Sequence, residues 1–341
     1  MVWGAFEPKN WEEEDVDIQV THCDAIVSLG LVCVELYSGN VGFIACCVGH
    51  EIVGKAVRVG NNVKGIQVGD RVGLGAQAYS CMKSDCPECS SGRLDYCAHS
   101  RALTYGAVYP DGKGMSYGGH SDYDGTNSNF VIKIRDRVSS EAAAPMLCAG
   151  VTMFAPLRRY GCGPGKTVGI IGVGGLGHFG IRFAKGLGAD KVVGISRRSD
   201  KREDALKLGA DQYIATSKDD VWAKANARSL DIIICTVCSA RMPLAEYMSL
   251  LKVGGMFVRV GLPDDGNLPP ISAWTFFDQV DIAGTFVGSP DGIREMFTVA
   301  AEKQIKPWIE TRPMTEANQA VLDFEEGKPR YRYDLVNEKH L

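Results

Sequence analysis

The run GVGGLG at residues 172–177 is the feature that most constrains the fold of this chain. It follows the short apolar segment 168–171, which has the composition of a strand. After it, Phe179, Phe183 and Leu187 recur at helical intervals. Glycines in such a strand-to-helix turn let backbone N–H groups and the helix N-terminus hold a pyrophosphate. Because the apolar runs KVVGIS, DIIIC and GGMFVRVGLP follow between helical segments, the pattern predicts a doubly wound parallel sheet that binds a dinucleotide.

The end of the second predicted strand indicates which dinucleotide binds. A carboxylate there would accept hydrogen bonds from the ribose of NAD and would repel a 2′-phosphate, but this chain has Ser196, Arg197 and Arg198, with Lys201 close behind. We therefore expect NADP(H). The alternative is that the arginines are only solvated at a strand end. The glycine turn that we expect to bind the same cofactor comprises Gly172, Val173, Gly174, Gly175, Leu176 and Gly177.

A second motif, SCMKSDCPECSSGRLDYC, has the spacing of a metal site. Its cysteines are separated by four, two and seven residues inside a polar, turn-rich run. Four thiolates so close in sequence can surround one tetrahedral zinc ion and close a loop that is too polar to hold itself by burial. Because all four ligands come from the protein, this zinc is expected to be structural. The predicted ligands are Cys81, Cys86, Cys89 and Cys97.

Composition and charge exclude several classes of partner. The chain has 341 residues, a net charge of −4 and no long cluster of basic residues, so neither a nucleic acid nor an anionic membrane surface is expected as a partner. The acidic N-terminal run does not resemble a signal peptide, which favours a cytoplasmic location. In a reducing compartment, the twelve cysteines are expected to be thiols or metal ligands. The apolar run 25–48 is interrupted by Glu35 and Asn40, so we interpret it as buried strands and not as a membrane helix.

Several motifs together resemble a known family. GHEIVGKAVRVG, the four-cysteine loop, PMLCAGVTMFAPLRRYGCGPG, GVGGLGH, KREDALKLGAD and IKPWIE are similar to the zinc-dependent medium-chain alcohol dehydrogenases, in particular to their cinnamyl alcohol dehydrogenase-like branch. The resemblance runs from about Asp15 to the end of the chain. It implies an α/β protein with a GroES-like, β-rich catalytic domain and a Rossmann domain. It also implies NADP(H)-dependent, zinc-assisted interconversion of primary alcohols and aldehydes, with aromatic or medium-chain substrates.

The resemblance also implies the catalytic residues. His50 and Glu51 match the GHE motif of the family, and Cys148 matches a ligand cysteine. Imidazole, carboxylate and thiolate all bind zinc and leave a fourth position for an alcohol or aldehyde oxygen, where the metal polarises the carbonyl while NADPH delivers hydride. From the residues alone, Cys148 is more typical of a small buried side chain. Cys46 and Cys47 fall where the family has strand residues, and we interpret them as core.

One segment departs from the family pattern. Members of the family carry a further ligand cysteine upstream, followed by a Ser or Thr and a His that relay the alcohol proton to solvent, whereas this chain reads THCDAIVSLGLVCVELYSGN. The expected ligand position is Ile26 when counted forwards from Thr21, and Ser28 when counted backwards from His50. Neither residue can supply a thiolate.

Three explanations of the departure remain open. The first is that residues 24–46 reflect a wrong reading frame or a retained intron, which transcript sequencing across this segment would test. The second is that Cys23 or Cys33 supplies the additional ligand of the catalytic zinc. The third is loss of the catalytic zinc, which would leave an NADPH-dependent double-bond reductase or a non-catalytic NADPH-binding homologue.

Domain bounds follow from the resemblance. We expect the catalytic domain, which is short at its N-terminus, at residues 1–147 and 286–341, and the NADP-binding Rossmann domain at 148–285. The hydroxyl of Thr152 is expected near the nicotinamide. The other residues expected to line the cofactor site are Thr236, Gly261, Thr285, Phe286 and Val287.

Oligomeric state and substrate are less constrained by the sequence. The run DIAGTFVG is similar to the last Rossmann strand of the family, which pairs across a two-fold axis, so we expect a homodimer; the alternative is a simple edge strand. A small alcohol or aldehyde is the expected partner. Four aromatic residues are candidates for an apolar substrate pocket, although aromatics at such spacing are more often core: Trp274, Phe276, Phe277 and Trp308.

Overall fold

The structure is a computed structural model, and it describes residues 4–25, 47–261 and 267–341. The chain divides into two compact units. The first comprises Met1–Cys148, Gly288–Ala301 and Lys306–Leu341, and the second comprises Ala149–Val287 and Glu302–Ile305.

The described residues form strands in both units, because β-branched and other apolar residues alternate or run continuously in these segments. In chain order the strands are β1 (Asp15–Asp24), β2 (Ile52–Val59), β3 (Arg71–Leu74), β4 (Gln77–Ser80), β5 (Arg101–Leu103), β6 (Tyr123–Asn127), β7 (Val131–Lys133), β8 (Thr167–Ile171), β9 (Lys191–Ser196), β10 (Gln212–Ala215), β11 (Leu230–Cys235), β12 (Leu251–Arg259), β13 (Asp281–Gly284), β14 (Glu310–Pro313) and β15 (Tyr333–Val336).

Helices connect these strands, and several begin or end where the sequence carries a boundary signal. Arg202–Leu208 has acidic residues in its first turn and ends at Gly209, which has a φ of 112°. The α-helices are Pro87–Ser90, Ser140–Ala143, Ala149–Arg159, Gly177–Gly186, Arg202–Leu208, Trp222–Ala225, Leu244–Ser249, Pro290–Lys303 and Ala317–Glu325. The 3-10 helices are Leu94–Tyr96, Pro110–Gly112, Ser128–Phe130, Ala144–Met146, Ala273–Asp278, Met314–Glu316 and Glu338–His340.

The first unit is built on a seven-stranded sheet in the order β14-β15-β1-β2-β3-β7, with β6 also paired to β1. Its neighbours are antiparallel except for β14 and β15. In the register of β1 and β15, Asp24 lies opposite Asp334 and Cys23 lies opposite Leu335. The end of β1 is therefore brought beside a segment that is 310 positions away in the chain, and both carboxyl groups are buried there.

The second unit contains a six-stranded parallel sheet in the order β10-β9-β8-β11-β12-β13. Its central strands are buried nearly throughout, as expected of a parallel sheet with both faces covered. The strand order reverses between β8 and β11, and ligands of such sheets bind at the carboxyl ends of the strands at this point. The prediction of an α/β chain with a β-rich domain and a doubly wound parallel sheet is confirmed.

Two expectations about buried side chains need correction. Trp274 and Phe277 are 76% and 75% exposed, so the interpretation of these aromatics as core is wrong. Cys47 is half-buried, and its thiol donates to the carbonyls of Gly118 and His120, so it is not a core residue. Cys46 lies outside the described residues. Within the described ranges, every helix is too short or too polar to span a membrane.

Candidate functional site

The glycine turn after β8 has the backbone geometry that a close approach to a ligand requires. Gly172 has a φ of 89°, and a Cβ there would lie 2.3 Å from Oγ1 of Thr236. At Gly177 a Cβ would lie 1.9 Å from the carbonyl oxygen of Gly172, so the helix Gly177–Gly186 can begin this close to the turn only with glycine. A Cβ at Gly174 would meet no atom within 4 Å, so the outer side of the turn is open to a ligand.

A cavity of about 360 Å³ lies over this turn, at the carboxyl ends of β8, β9 and β11. It gathers the glycine turn and the basic end of β9, which were predicted from separate parts of the sequence. Two lining residues, Asp200 and Val237, were not predicted. The full lining is Gly172, Val173, Gly174, Gly175, Leu176, Ser196, Arg197, Arg198, Asp200, Lys201, Thr236 and Val237.

Hydrogen bonds hold the basic end of β9 in place while its cationic groups stay exposed. The Ser196 hydroxyl accepts from the N–H of Val173 at 3.1 Å, which ties the strand end to the glycine turn. The carbonyl of Arg197 accepts from the Ser217 hydroxyl at 2.6 Å, and that of Arg198 accepts from a tyrosine hydroxyl. Because these contacts use the backbone carbonyls, they leave the two guanidinium groups unoccupied by this network.

Arg198 also forms an ion pair with Asp200, with 3.0 Å between Nη2 and Oδ2. Both side chains are largely exposed, and such surface pairs contribute about 0–1 kcal/mol. A dianionic phosphate can therefore compete with Asp200 for this guanidinium. Among the described residues, Arg197 forms no ion pair.

The other residues predicted to bind the cofactor lie in the second unit but outside this cavity, with one exception. Thr236 lines the cavity, and its hydroxyl lies 3.0 Å from the carbonyl oxygens of Ile171 and Gly172. Thr152 is buried in the helix Ala149–Arg159. The remaining predicted residues lie at or beyond the ends of β12 and β13: Gly261, Thr285, Phe286 and Val287.

In the first unit, the four cysteines of the loop come together. Their sulfur atoms all lie within 4.8 Å of one another, and the Cys97–Cys81 distance is 3.4 Å. Tetrahedral zinc with four thiolates places neighbouring sulfurs about 3.8 Å apart, whereas a disulfide bond is only about 2.05 Å long. The Cys81–Cys89 and Cys86–Cys97 distances, 3.6 and 3.9 Å, match the metal geometry. The arrangement fits a structural zinc ion.

One of these thiols is also disposed to ionise. Burial raises the pKa of Cys97, but hydrogen bonds from the backbone of Ser100, Cys81 and His99 have the larger, opposite effect. The resulting pKa of Cys97 is about 6. A thiolate is the form that binds zinc. These backbone hydrogen bonds therefore favour the form of Cys97 that binds zinc.

Glu51, which precedes β2, lies in a buried ion pair that the sequence does not reveal. Its Oε2 is 2.5 Å from Nη2 of Arg332, and Nε of the same guanidinium is 3.0 Å from Oδ2 of Asp24. All three side chains are at most 1% exposed. We call Asp24, Glu51, Arg332 and Asp334 the Arg332 cluster. No local motif surrounds Arg332. The one indication that could have led to it is that Glu51, if buried, requires a cation as partner.

The Arg332 cluster contains three carboxyl groups and one guanidinium. Burial raises the pKa of Asp334 well above its usual range, and the neighbouring carboxylates of Asp24, Glu141 and Glu51 raise it further. Burial opposes ionisation of Arg332, but Asp24 and Glu51 hold its pKa above the usual value. The guanidinium therefore stays charged and keeps Glu51 in a fixed orientation.

The predicted zinc ligands His50, Glu51 and Cys148 all interact electrostatically with this guanidinium. Glu51 is bonded to it, and the charges of Arg332 and Cys148 influence each other. Burial lowers the pKa of His50 to about 3, and Arg332 and His120 lower it as well, so the imidazole is neutral. The Nε2 atom of His50 is buried and has no hydrogen-bond partner among the residues that the structure describes. These donors fit zinc by type, since neutral imidazole, thiolate and carboxylate are its usual ligands.

The ligand atoms of His50, Glu51 and Cys148 nevertheless do not lie as close together as the four sulfur atoms of the loop. Within the described residues, only the four loop cysteines form a group of three or more potential ligands within 4.8 Å. Cys23 lies in β1 with its side chain in the apolar core of the unit, and burial raises its pKa well above the usual value. Ile26, Ser28 and Cys33 lie outside the described residues.

Sequence reasoning also missed His120, which lies beside His50. Burial lowers the pKa of His120 to about 4, against an opposing effect of the Asp24 backbone. Neither ring nitrogen makes a hydrogen bond of normal geometry with a described residue. The motif YGGHSDY gave no signal for this residue, because a single histidine in a loop is common.

Comparisons with known proteins agree with this description of the two units. Residues 15–136 match the family model of the alcohol dehydrogenase GroES-like domain, and residues 175–302 match that of the zinc-binding dehydrogenases. NADP-dependent alcohol dehydrogenase 6 of Saccharomyces cerevisiae is 37% identical over 97% of this chain and 91% of its own length.

Solved structures give the same result. A cinnamyl alcohol dehydrogenase from Sorghum bicolor superposes with a TM-score of 0.89 at 33% identity, covering 97% of this chain and 92% of that one. A cinnamyl alcohol dehydrogenase from Helicobacter pylori, complexed with NADP(H), has a TM-score of 0.83 at 27% identity and covers 96% of this chain and 92% of that one. The chain therefore belongs to the zinc-dependent medium-chain alcohol dehydrogenases, in their cinnamyl alcohol dehydrogenase-like branch.

Proposed function

We propose that this chain uses NADP(H) to interconvert primary alcohols, aromatic or medium-chain, and the corresponding aldehydes. One observation carries the proposal: a single cavity combines the open glycine turn with Ser196, Arg197 and Arg198 at the end of β9. When bound, zinc held by the predicted ligands would polarise the carbonyl oxygen, and NADPH would supply the hydride. The tasks left to the protein are to bind the cofactor, to hold the ligands and to exclude water.

Each task has residues suited to it. The open side of Gly174 would leave room for the pyrophosphate, and Arg197 and Arg198, which line the same cavity, would hold a 2′-phosphate. Arg332 holds Glu51 in place through a buried charge-assisted hydrogen bond. The centroid of the Tyr105 ring lies 5.7 Å from that of the His50 ring, so a buried aromatic side chain packs beside this predicted ligand.

Cofactor preference tests the nucleotide part of the proposal. The double substitution Arg197→Ala with Arg198→Ala is expected to weaken NADPH binding at least about tenfold, since charge-assisted hydrogen bonds contribute about 1.5–3 kcal/mol. NADH affinity should stay the same. Arg202→Ala is the matched control, because Arg202 stacks on Tyr213 and does not line the cavity. Calorimetric titration that shows equal losses for both cofactors would contradict the assignment of NADP(H).

Activity assays test the reaction. NADPH oxidation should depend on the aldehyde supplied, and a chelator that removes the catalytic metal should abolish it. A second candidate, NADPH-dependent reduction of an activated double bond, is favoured by the separation of the His50, Glu51 and Cys148 ligand atoms. Chelator-resistant reduction of enones without aldehyde reduction would favour that second candidate.

We also propose that the chain forms a homodimer through the β13 edge of its second unit. In support, β13 is the last strand of the parallel sheet, and the rings of Trp274 and Phe277 lie 4.9 Å apart while being mostly exposed. Exposed aromatic pairs and unpaired strand edges favour association. Light scattering on Trp274→Glu with Phe277→Glu should report a monomer, and a wild-type monomer at micromolar concentration would refute the proposal.

Location and domain bounds remain proposals. We propose that the protein is cytoplasmic, because its gathered cysteines are thiols suited to a reducing compartment; recovery in a membrane or secreted fraction would contradict this.

We propose that the catalytic domain comprises residues 1–147 and 286–341, and that the cofactor domain comprises residues 148–285. Limited proteolysis that cleaves first within 149–284 would contradict these bounds.

A further inference from the structure

His120 is fixed beside the GHE motif by the backbone. The N–H groups of Gly118, Gly119 and His120 donate to the carbonyls of Cys47, Gly49 and Val48 at 2.8 to 2.9 Å. The loop that carries His120 is therefore bonded, residue by residue, to the three residues that precede His50. This pairing holds the backbone of His120 beside the residues that precede His50, and the two histidines lie close enough to influence each other electrostatically.

The ring of His120 is buried but unsatisfied. The residue is 7% exposed, and neither Nδ1 nor Nε2 makes a hydrogen bond of normal geometry within the described part of the chain. An unpaired buried polar group costs about 1–3 kcal/mol, so such a group in a native fold calls for an explanation. Among the described residues, the Nε2 atom of His50 is buried and unpaired in the same way.

Gly49 makes room for this ring. It has a φ of 96°, and a Cβ at this position would lie 2.7 Å from Cδ2 of His120 and 2.7 Å from Sγ of Cys23. A larger residue would clash there. Glycine at position 49 therefore lets the side chains of His120 and Cys23 pack against the GHE motif. His120 and Cys23 are thus two candidates for an additional ligand among the described residues.

Their chemistry separates the two candidates. Cys23 is enclosed in the apolar core of the sheet, and its thiol lies 3.7 Å from the carbonyl oxygen of Asp24. An imidazole needs no deprotonation to bind a metal when it is neutral. Because neither ring nitrogen of His120 makes a hydrogen bond of normal geometry with a described residue, the ring can turn towards His50 without breaking one.

We propose that His120 is a ligand of the catalytic zinc together with His50 and Cys148, in place of the thiolate that the family has upstream. Glu51 stays paired with Arg332 outside the ligand set. The ligand atoms are not within 4.8 Å of each other in the structure, so binding requires rotation of the unpaired imidazole. Three protein ligands leave one position for substrate. The inference rests on the proposed function.

Zinc content of the purified full-length chain tests it. The wild type should hold about two zinc ions per chain, and His120→Phe should hold about one. His120→Cys should keep about two, because a thiolate replaces the imidazole as ligand. His22→Phe makes the same substitution at another buried histidine of this unit, and it should also keep about two.

Cobalt substitution adds a spectroscopic readout that does not depend on activity. The visible spectrum of the Co²⁺ enzyme should change in His120→Cys through a new thiolate-to-metal band and stay unchanged in Cys23→Ala. A wild type with about one zinc, or His120→Phe with about two, overturns the inference. A loss of zinc in Cys23→Ala assigns the ligand to Cys23 and also overturns it. NADPH titration of each variant distinguishes failure of this inference from failure of the proposed function. The proposed function predicts that every variant binds NADPH as the wild type does.

Discussion

The four-cysteine loop and the Arg332 cluster lie in the same unit but are assembled in opposite ways. The loop collects its ligands from residues 81–97, closes on itself and remains partly exposed. The Arg332 cluster joins the end of β1, the residue before β2 and the start of β15, and it is almost fully buried. One site can form from a short peptide, whereas the other exists only once the sheet has formed.

The difference determines what holds each site together. The loop is too polar to be stabilised by its own burial, and bound zinc supplies the free energy that orders such loops. In the Arg332 cluster, the guanidinium replaces solvation for Asp24 and Glu51, so each charge depends on another. We therefore expect metal removal to affect the loop and charge removal to affect the cluster.

The largest effect is expected from Cys86→Ser in the loop. Cys86 is fully buried among the other thiols, and its loss should release about one zinc ion and destabilise the unit by more than about 5 kcal/mol. Metal analysis and urea unfolding of the purified chain measure both effects. The control is Cys238→Ser, since Cys238 is exposed and lies outside the loop. Unchanged zinc content in Cys86→Ser would show that the loop does not depend on metal.

Sequence reasoning succeeded where residues that act together are close in the chain. The spacing of Cys81, Cys86, Cys89 and Cys97 predicted a group that the structure gathers. The run 168–177 predicted a strand, a glycine turn and a helix, and β8 and the helix Gly177–Gly186 have these positions. Local spacing is sufficient here because the chemistry is completed within a turn or two of backbone.

Long-range pairs could not be predicted in the same way. Nothing near Arg332 in the sequence indicates that it meets Glu51, because the register of β1, β2 and β15 brings them together. The burial of His120 depends likewise on backbone pairing with residues 47–49. Trp274 was misjudged for a related reason, since a single sequence does not distinguish an aromatic in the core from one on the surface.

A smaller but still large effect is expected from Arg332→Met. The substitution keeps the apolar volume but leaves Asp24 and Glu51 buried without a cation, which costs about 3–5 kcal/mol. Zinc bound by the four-cysteine loop should be retained, which would separate the two sites. Lys339→Met breaks the exposed pair with Asp122 and should cost about 0–1 kcal/mol. Equal shifts of the urea midpoint for the two variants would contradict the comparison.

The smallest effect is expected at Asp124 in β6, a buried carboxyl group that forms no ion pair with any residue the structure describes. Burial raises its pKa to about 8, and the charge of Asp17 adds to this. The folded state therefore keeps the proton up to about pH 8, while the unfolded chain releases it near its usual pKa of about 3.9. The contribution of this proton to the free energy of unfolding is fully present below about pH 4 and is lost as the pH rises towards 8.

Asp124→Asn, which keeps the shape but cannot ionise, should accordingly gain about 1–3 kcal/mol over the wild type at pH 7 and much less at pH 4.5. Urea unfolding midpoints at several pH values measure this gain. Asp122→Asn is the matched control, because hydrogen bonding to Lys339 lowers the pKa of Asp122 and the sign should reverse. A gain at Asp124 that is independent of pH would mean that the carboxyl ionises normally in the fold. In that case, a buried carboxyl group would not need a guanidinium, and the dependence of Glu51 and Asp24 on Arg332 would lose its physical basis.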